Sequence, residues 1–167
     1  MPTARVAALQ ALIFSDDDEA ADDAFEELTA LGGEEMFQFL LQLLETDKPL
    51  LRNSAASSLR DLADQRAVQP LLAAIQKPAN HGRNGTLVYA LATHDCRHLL
   101  KDLCLIVFYQ GYEAKHMALD ILEEQEFVYS EEDVKEIRRL WEQVRQKPDR
   151  ALQEIGLNWI EEIIEEL

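Results

Sequence analysis

The side chains best suited to catalysis or metal binding in this 167-residue chain are its histidines and cysteines. They are confined to the middle of the sequence: His81, His94, Cys96, His98, Cys104 and His116. His94 and His98 are four residues apart, a spacing that on a helix places both imidazoles on one face, where Asp95 or Asp102 could add a carboxylate to a metal. We expect the helix to begin after His94, which favours solvated turn histidines, and we predict no metal and no cofactor.

The two cysteines could act as nucleophiles or as core thiols, because no C-x-x-C motif indicates zinc. We place both on one helix, where their spacing corresponds to about 12 Å of rise, too far for a disulfide. Cys104 lies in an apolar stretch that disfavours the thiolate, whereas Cys96 beside Arg97 and His98 would be the more reactive thiol. Neither has an evident orienting partner or oxyanion donor, so we predict no catalytic residue.

Helices must position these side chains, because apolar residues recur at three- and four-residue spacing along nearly the whole chain. One block of this pattern recurs after 31 residues, as Ala24, Leu28, Leu31, Leu40, Leu41 and Leu44 are echoed by Ala55, Leu59, Leu62, Leu71, Leu72 and Ile75. A repeated pair of amphipathic helices predicts a stacked array of helical hairpins. The echo slips to 28 residues near Leu99 and loosens after Leu122, so we expect any specialised surface where the period breaks.

The whole chain, residues 1–167, is predicted to form one all-α domain. The clearest repeats cover residues 19–145. Capping helices are expected at the two ends, over 1–14, with Thr3 as N-cap, and over 149–167. Arg52, with its echoes Arg83 and Lys115, is expected to form a ladder of polar contacts between repeats through Asp47 or Asp64.

One hairpin carries a dense set of motif residues, namely Asp47, Pro49, Leu51, Arg52, Ala55, Leu59 and Leu62, then Asp64, Arg66, Ala67, Val68, Pro70, Leu71, Leu72 and Ile75. This pattern resembles the HEAT repeat, particularly the short bacterial type of phycobilisome-lyase-like proteins. The resemblance implies a right-handed α-solenoid of about four helical hairpins, with second helices lining a concave surface, and it implies another protein as the usual partner. Some relatives attach bilins to phycobiliproteins, but no motif for that reaction can be placed on residues of this chain.

On such a concave surface, residues that flank the apolar stripe of the second helices would contact the partner. The predicted partner-binding residues are Gln69, Ala73, Gln76, Arg97, His98, Lys101, Asp102 and Tyr109.

The formal net charge is −16, and the segments 1–48, 49–120 and 121–167 carry −10, +2 and −8. Acidic ends are expected of terminal repeats, which need polar outer faces. The alternative is an acidic surface that attracts a basic partner protein. Direct binding of nucleic acid is disfavoured, because 16 Lys and Arg residues stand against 32 acids. The sequence has no apolar run long enough for a membrane span and no signal-peptide pattern, so we expect a soluble, cytoplasmic protein without a membrane partner.

Two functional hypotheses of different classes follow from these observations. The first is a non-catalytic protein–protein interaction module, either an acidic stoichiometric inhibitor such as an immunity protein or an adaptor for a basic partner. The alternative is a phycobilin-lyase-like chaperone or a metal-assisted enzyme that uses the region of His94 and His98. The terminal helix has an apolar face that contains Trp159 and Ile163, and it is expected either to cap the stack or to mediate dimerisation.

Overall fold

In the computed structural model, which describes residues 4–167, eleven α-helices account for most of the chain and no strand occurs in that range. The helices are α1 (Ala4–Ile13), α2 (Asp18–Leu31), α3 (Glu34–Leu43), α4 (Pro49–Leu62), α5 (Val68–Gln76), α6 (Gly85–Leu91), α7 (Leu100–Tyr109), α8 (Tyr112–Glu124), α9 (Glu131–Val144), α10 (Arg150–Ile155) and α11 (Leu157–Glu165). The all-α prediction is therefore confirmed. Over the same residues, no helix combines the length and the apolar character needed to cross a bilayer.

The helices form two rows, of which the first is a stack and the second packs against it. In one row α2, α4, α6, α8 and α10 pack on one another in chain order. In the other, α1, α3, α5 and α7 each pack on the helix that follows, and α7 also contacts α9. The echoed positions Ala24, Leu28, Ala55 and Leu59 are at most 1 % exposed. Most of the 31-residue echo thus corresponds to the apolar stripe that each repeat buries, but Leu31 is 53 % exposed and Leu41 and Leu62 are only half-buried.

Short polar side chains mark where several helices begin. Asp17, Ser130 and Asp149 accept hydrogen bonds from backbone N–H groups in the first turns of α2, α9 and α10. Asp64 caps a short 3₁₀ turn that precedes α5, and its carboxylate also pairs with Arg66. The cap expected from Thr3 lies outside the described residues.

Two elements differ from the sequence-based expectation. The terminal segment 149–167 is not one helix, because Gly156 adopts a φ of 105° and separates α10 from α11. The helix α6 has only 7 residues, and the non-helical segment 92–99 follows it. Cys96 lies in this segment and Cys104 lies in α7, so the placement of both cysteines on one helix is wrong.

Arg52 forms polar contacts between repeats, as expected, but with different partners, and it is buried. It is 2 % exposed and donates to the side-chain oxygen of Asn80 and, at 2.9 Å, to the carbonyl of Arg83. These neutral oxygens, rather than Asp47 or Asp64, accept its hydrogen bonds. The expected carboxylate ladder is wrong at this position, because the guanidinium reaches backbone and amide groups of the next repeat.

Candidate functional site

The two cysteine thiols are buried and weakly acidic. Cys96 is 0 % exposed and its Sγ donates to the carbonyl of Leu91 at 3.4 Å, while Cys104 is 2 % exposed within α7. Burial raises the pKa of Cys96 to about 11 and that of Cys104 to about 12. The thiolate is the nucleophilic form, so the expectation that Arg97 and His98 make Cys96 reactive is wrong.

His94 is buried rather than solvated, which corrects the expectation from sequence. It is 3 % exposed, its Nδ1–H donates to the carbonyl of Ala90 at 2.9 Å, and its Nε2 has no partner among the described residues. Burial lowers the pKa of His94. His98 is exposed in the same turn and the two imidazoles share no helix face. Within residues 4–167, no three His, Cys, Asp or Glu side chains are grouped so that they could hold a metal ion.

The predicted partner-binding residues lie on α5, on α7 and in the turn between α6 and α7. Gln69, Ala73, Gln76, Arg97, His98 and Tyr109 are exposed, and Lys101 and Asp102 are partly exposed. The ammonium of Lys101 pairs with Glu136 of α9 at 2.6 Å, and Arg97 pairs with Asp95 at 2.8 Å. Two of the charged residues in this set, Arg97 and Lys101, therefore already have partners, and the role of the whole set in binding stays a prediction.

A groove of about 780 Å³ lies between α11 and the link that joins α8 to α9. We call it the C-terminal groove. Its apolar and aromatic lining consists of Leu100, Leu122, Phe127, Tyr129, Trp159, Ile163 and Leu167. Its charged lining among the described residues consists of four glutamates, Glu123, Glu126, Glu162 and Glu166. The groove thus joins an aromatic floor to a rim of uniform negative charge.

Hydrogen bonds to the segment 92–99, which joins α6 to α7, hold one wall of this groove in place. Gln125 accepts from the backbone N–H of Cys96 at 3.0 Å and donates to the carbonyl of His94 at 3.1 Å. Val128 donates its backbone N–H to the carbonyl of Arg97 at 2.8 Å. These bonds fix the link after α8 against the segment 92–99, so the turn that carries His94 and Cys96 has a structural role.

An ion pair between a buried lysine and a half-exposed aspartate helps to place the opposite wall. Lys115 of α8 is 0 % exposed, and its ammonium donates to the carbonyls of Val107 and Phe108 and pairs with Asp149 at 3.1 Å. Burial lowers the pKa of Lys115, and Asp149 opposes that shift. Because Asp149 also caps α10, this pair ties the terminal helices to α8. The indole N–H of Trp159 adds a bond from α11 to α8 by donating to Glu123.

Sequence reasoning did not identify the C-terminal groove, although it noted parts of it. Trp159 and Ile163 were considered for capping or dimerisation, and the repeat period loosens after Leu122, where the groove begins. A usable signal was the pair of aromatic residues Phe127 and Tyr129, which lie in a link rather than on a helical stripe. An apolar side chain outside any amphipathic pattern must be covered by a neighbour or remain available for binding.

Comparison with known proteins agrees with this architecture. A family model described as HEAT repeats matches residues 4–92, which is α1 through α6 and the first residue after it. The match is to HEAT repeats in general and does not distinguish the phycobilisome-lyase-like type. No curated protein matches the chain. The C-terminal groove lies beyond the matched region.

Proposed function

The chain belongs to the HEAT-repeat family, and from that premise we propose that it is a non-catalytic module that binds a basic segment of another protein in its C-terminal groove. HEAT repeats are generally protein-interaction modules, and stacked repeats present extended surfaces to their partners. The observation that carries the proposal is the aromatic groove of about 780 Å³ rimmed by four glutamates.

The chemistry of the groove defines the segment that fits it. Tyr129 is 41 % exposed and Trp159 is partly exposed, so an apolar side chain of the partner can bury aromatic surface there. Lys or Arg on either side of that anchor would meet Glu162 and Glu166, both of which are exposed. An amphipathic basic helix satisfies both requirements, and charge complementarity would speed its association and restrict its orientation.

In the cell, we propose that the protein acts as an adaptor or as a stoichiometric inhibitor of a basic protein, such as an immunity protein. In this proposal the hairpins form a right-handed solenoid of about four repeats, and the polar face of α5 and α7 extends the contact. That face contains the residues predicted from sequence: Gln69, Ala73, Gln76, Arg97, His98, Lys101, Asp102 and Tyr109. The acidic balance of 32 acids to 16 bases supports a basic partner over a nucleic acid.

The test is binding of a fluorescein-labelled helical peptide with leucine on one face and lysine on the other, measured by fluorescence anisotropy. We expect binding that weakens with added salt, and binding at least about tenfold weaker when Glu162→Lys and Glu166→Lys are combined. The matched control combines Glu131→Lys and Glu132→Lys, which reverse two exposed charges at the start of α9 outside the groove lining. Equal losses of affinity in the two double variants would contradict the proposed site. A leucine–glutamate peptide that binds as tightly as the leucine–lysine peptide would also contradict it.

A further inference from the structure

A second groove, of about 730 Å³, lies between α2 and α4 at the other end of the molecule. We call it the N-terminal groove. Small polar side chains form much of its lining, namely Thr29, Asn53, Ser54, Ser57 and Ser58. It also contains Phe25, which is 5 % exposed, and Leu50, which is 74 % exposed. Its lining is therefore rich in hydroxyl and amide groups, unlike the aromatic lining of the C-terminal groove.

Most of these polar groups form no hydrogen bond with any residue of the range 4–167. Among the described residues, the side chains of Asn53, Ser54, Ser57 and Ser58 take part in no hydrogen bond, whereas Thr29 donates to the carbonyl of Phe25. Ser58 is only 6 % exposed, and the Oδ1 of Asn53 is buried without a partner. Buried polar groups are normally hydrogen-bonded, so Ser58 and the buried oxygen of Asn53 indicate a place for donors from another molecule.

Negative charge surrounds this polar lining. Asp22, Glu26 and Asp61 line the groove, and α2 carries six acids and no base. Of those six, Glu27 alone is ion-paired among the described residues, to Arg5. The basic residue nearest the groove acids is Arg60, 3.6 Å from Asp61, and its guanidinium lies over the ring of Tyr89 at 4.3 Å. The field at the groove is therefore negative.

We propose that the N-terminal groove is a second docking surface, which binds an arginine-bearing extended segment of a partner protein. A guanidinium presents five N–H donors in a plane, so it can reach a carboxylate such as Asp22 and hydroxyl or amide oxygens of α4 together. A lysine ammonium supplies fewer donors and no planar fork. A second copy of this chain is disfavoured as the occupant, because two molecules of charge −16 repel each other.

The test uses a short extended peptide of alternating arginine and glycine, which has no apolar anchor for the C-terminal groove. We expect NMR chemical-shift changes of backbone amides in α2 and α4 of the full chain. We also expect affinity at least about tenfold lower in the double variant Asp22→Asn, Glu26→Gln. The matched control is Asp18→Asn, Glu19→Gln, which removes two exposed acids of the same helix that do not line the groove and should leave affinity nearly unchanged.

A peptide with lysine in place of arginine separates guanidinium recognition from simple charge attraction. Weaker binding of the lysine peptide supports the proposal, and equal affinity overturns it. Shift changes confined to the C-terminal groove, or equal losses in the two double variants, also overturn it. Because Glu162→Lys with Glu166→Lys leaves the N-terminal groove intact, that variant should still bind the arginine peptide. The proposal for each groove can therefore be tested, and contradicted, independently of the other.

Discussion

Burial determines the chemistry of individual residues in this protein, most clearly that of the two cysteines. A thiol shielded from water holds its proton because its thiolate would be poorly solvated, and Cys96 and Cys104 are both buried. We expect an aromatic disulfide reagent at pH 8 to label the folded protein slowly and the urea-unfolded protein rapidly. A Ser57→Cys variant, whose new thiol is exposed, provides the control. Rapid labelling of native Cys96 would contradict the assignment of a structural thiol.

His94 should make stability depend on pH near neutrality. Its pKa is lowered by burial, so below the ordinary histidine range the unfolded chain takes up a proton that the folded chain does not. Stability due to this residue is therefore present above that range and declines as the pH falls through it. His94→Asn keeps a donor for the carbonyl of Ala90 and should flatten the decline in urea-unfolding free energy between pH 7 and 5.

The comparison for this prediction is His98→Asn, because His98 is exposed in the same turn. That variant should keep the wild-type pH dependence. A His94→Asn curve parallel to the wild-type curve would show that protonation of other groups causes the decline.

At the scale of helices, one ion pair connects the terminal elements to the rest of the stack. Asp149→Asn keeps an oxygen that can cap α10 but removes the carboxylate from the buried Lys115, and we expect a loss of about 1–3 kcal/mol in unfolding free energy. Asp149→Ala also removes the cap and should lose about 1 kcal/mol more. Urea unfolding measures both. Equal stabilities of wild type and Asp149→Asn would mean that Lys115 is satisfied by the two carbonyls alone.

The close packing of α6 on α8 depends on a glycine. A Cβ on Gly85 would lie 2.7 Å from the Cβ of Glu113, closer than non-bonded carbon atoms approach. Gly85→Ala should therefore lower the unfolding free energy by about 1–3 kcal/mol, although alanine is the better helix former. Thr86→Ala, one residue along α6, should change stability much less. A stabilised Gly85→Ala variant would show that the two helices can separate at no cost.

At the scale of the whole molecule, the net charge of −16 predicts opposite effects of salt on stability and on binding. Screening weakens repulsion between the acids, so the melting temperature should rise when salt is added from low ionic strength. Screening also weakens attraction of a basic peptide, so affinity should fall over the same range. Thermal melts and anisotropy in matched buffers test both. A melting temperature that falls with salt would indicate that attractive ion pairs, such as Glu34–Arg66, dominate the surface.

The sequence by itself determined the class of fold and most of the core. A helix of 3.6 residues per turn must place its apolar residues at three- and four-residue spacing, so Leu28 and Leu59 could be assigned to a buried stripe from local pattern alone. A cap such as Ser130 is also encoded locally, because its hydrogen bonds stay within one turn of the chain. The break at Gly156 was missed, since a glycine inside an apolar stripe is compatible with a continuous helix until packing requires a bend.

Only the tertiary structure decided which surfaces exist. Glu123 and Trp159 are 36 residues apart in sequence, and they meet because α11 packs against α8. The polar side chains of α4 likewise line a groove only because α2 packs beside them. Burial of His94 and Lys115 also depends on neighbouring repeats, which no helical period encodes. Periodicity is a property of a single element, whereas a groove or a displaced pKa arises where separate elements meet, and the sequence pattern records the first far more directly than the second.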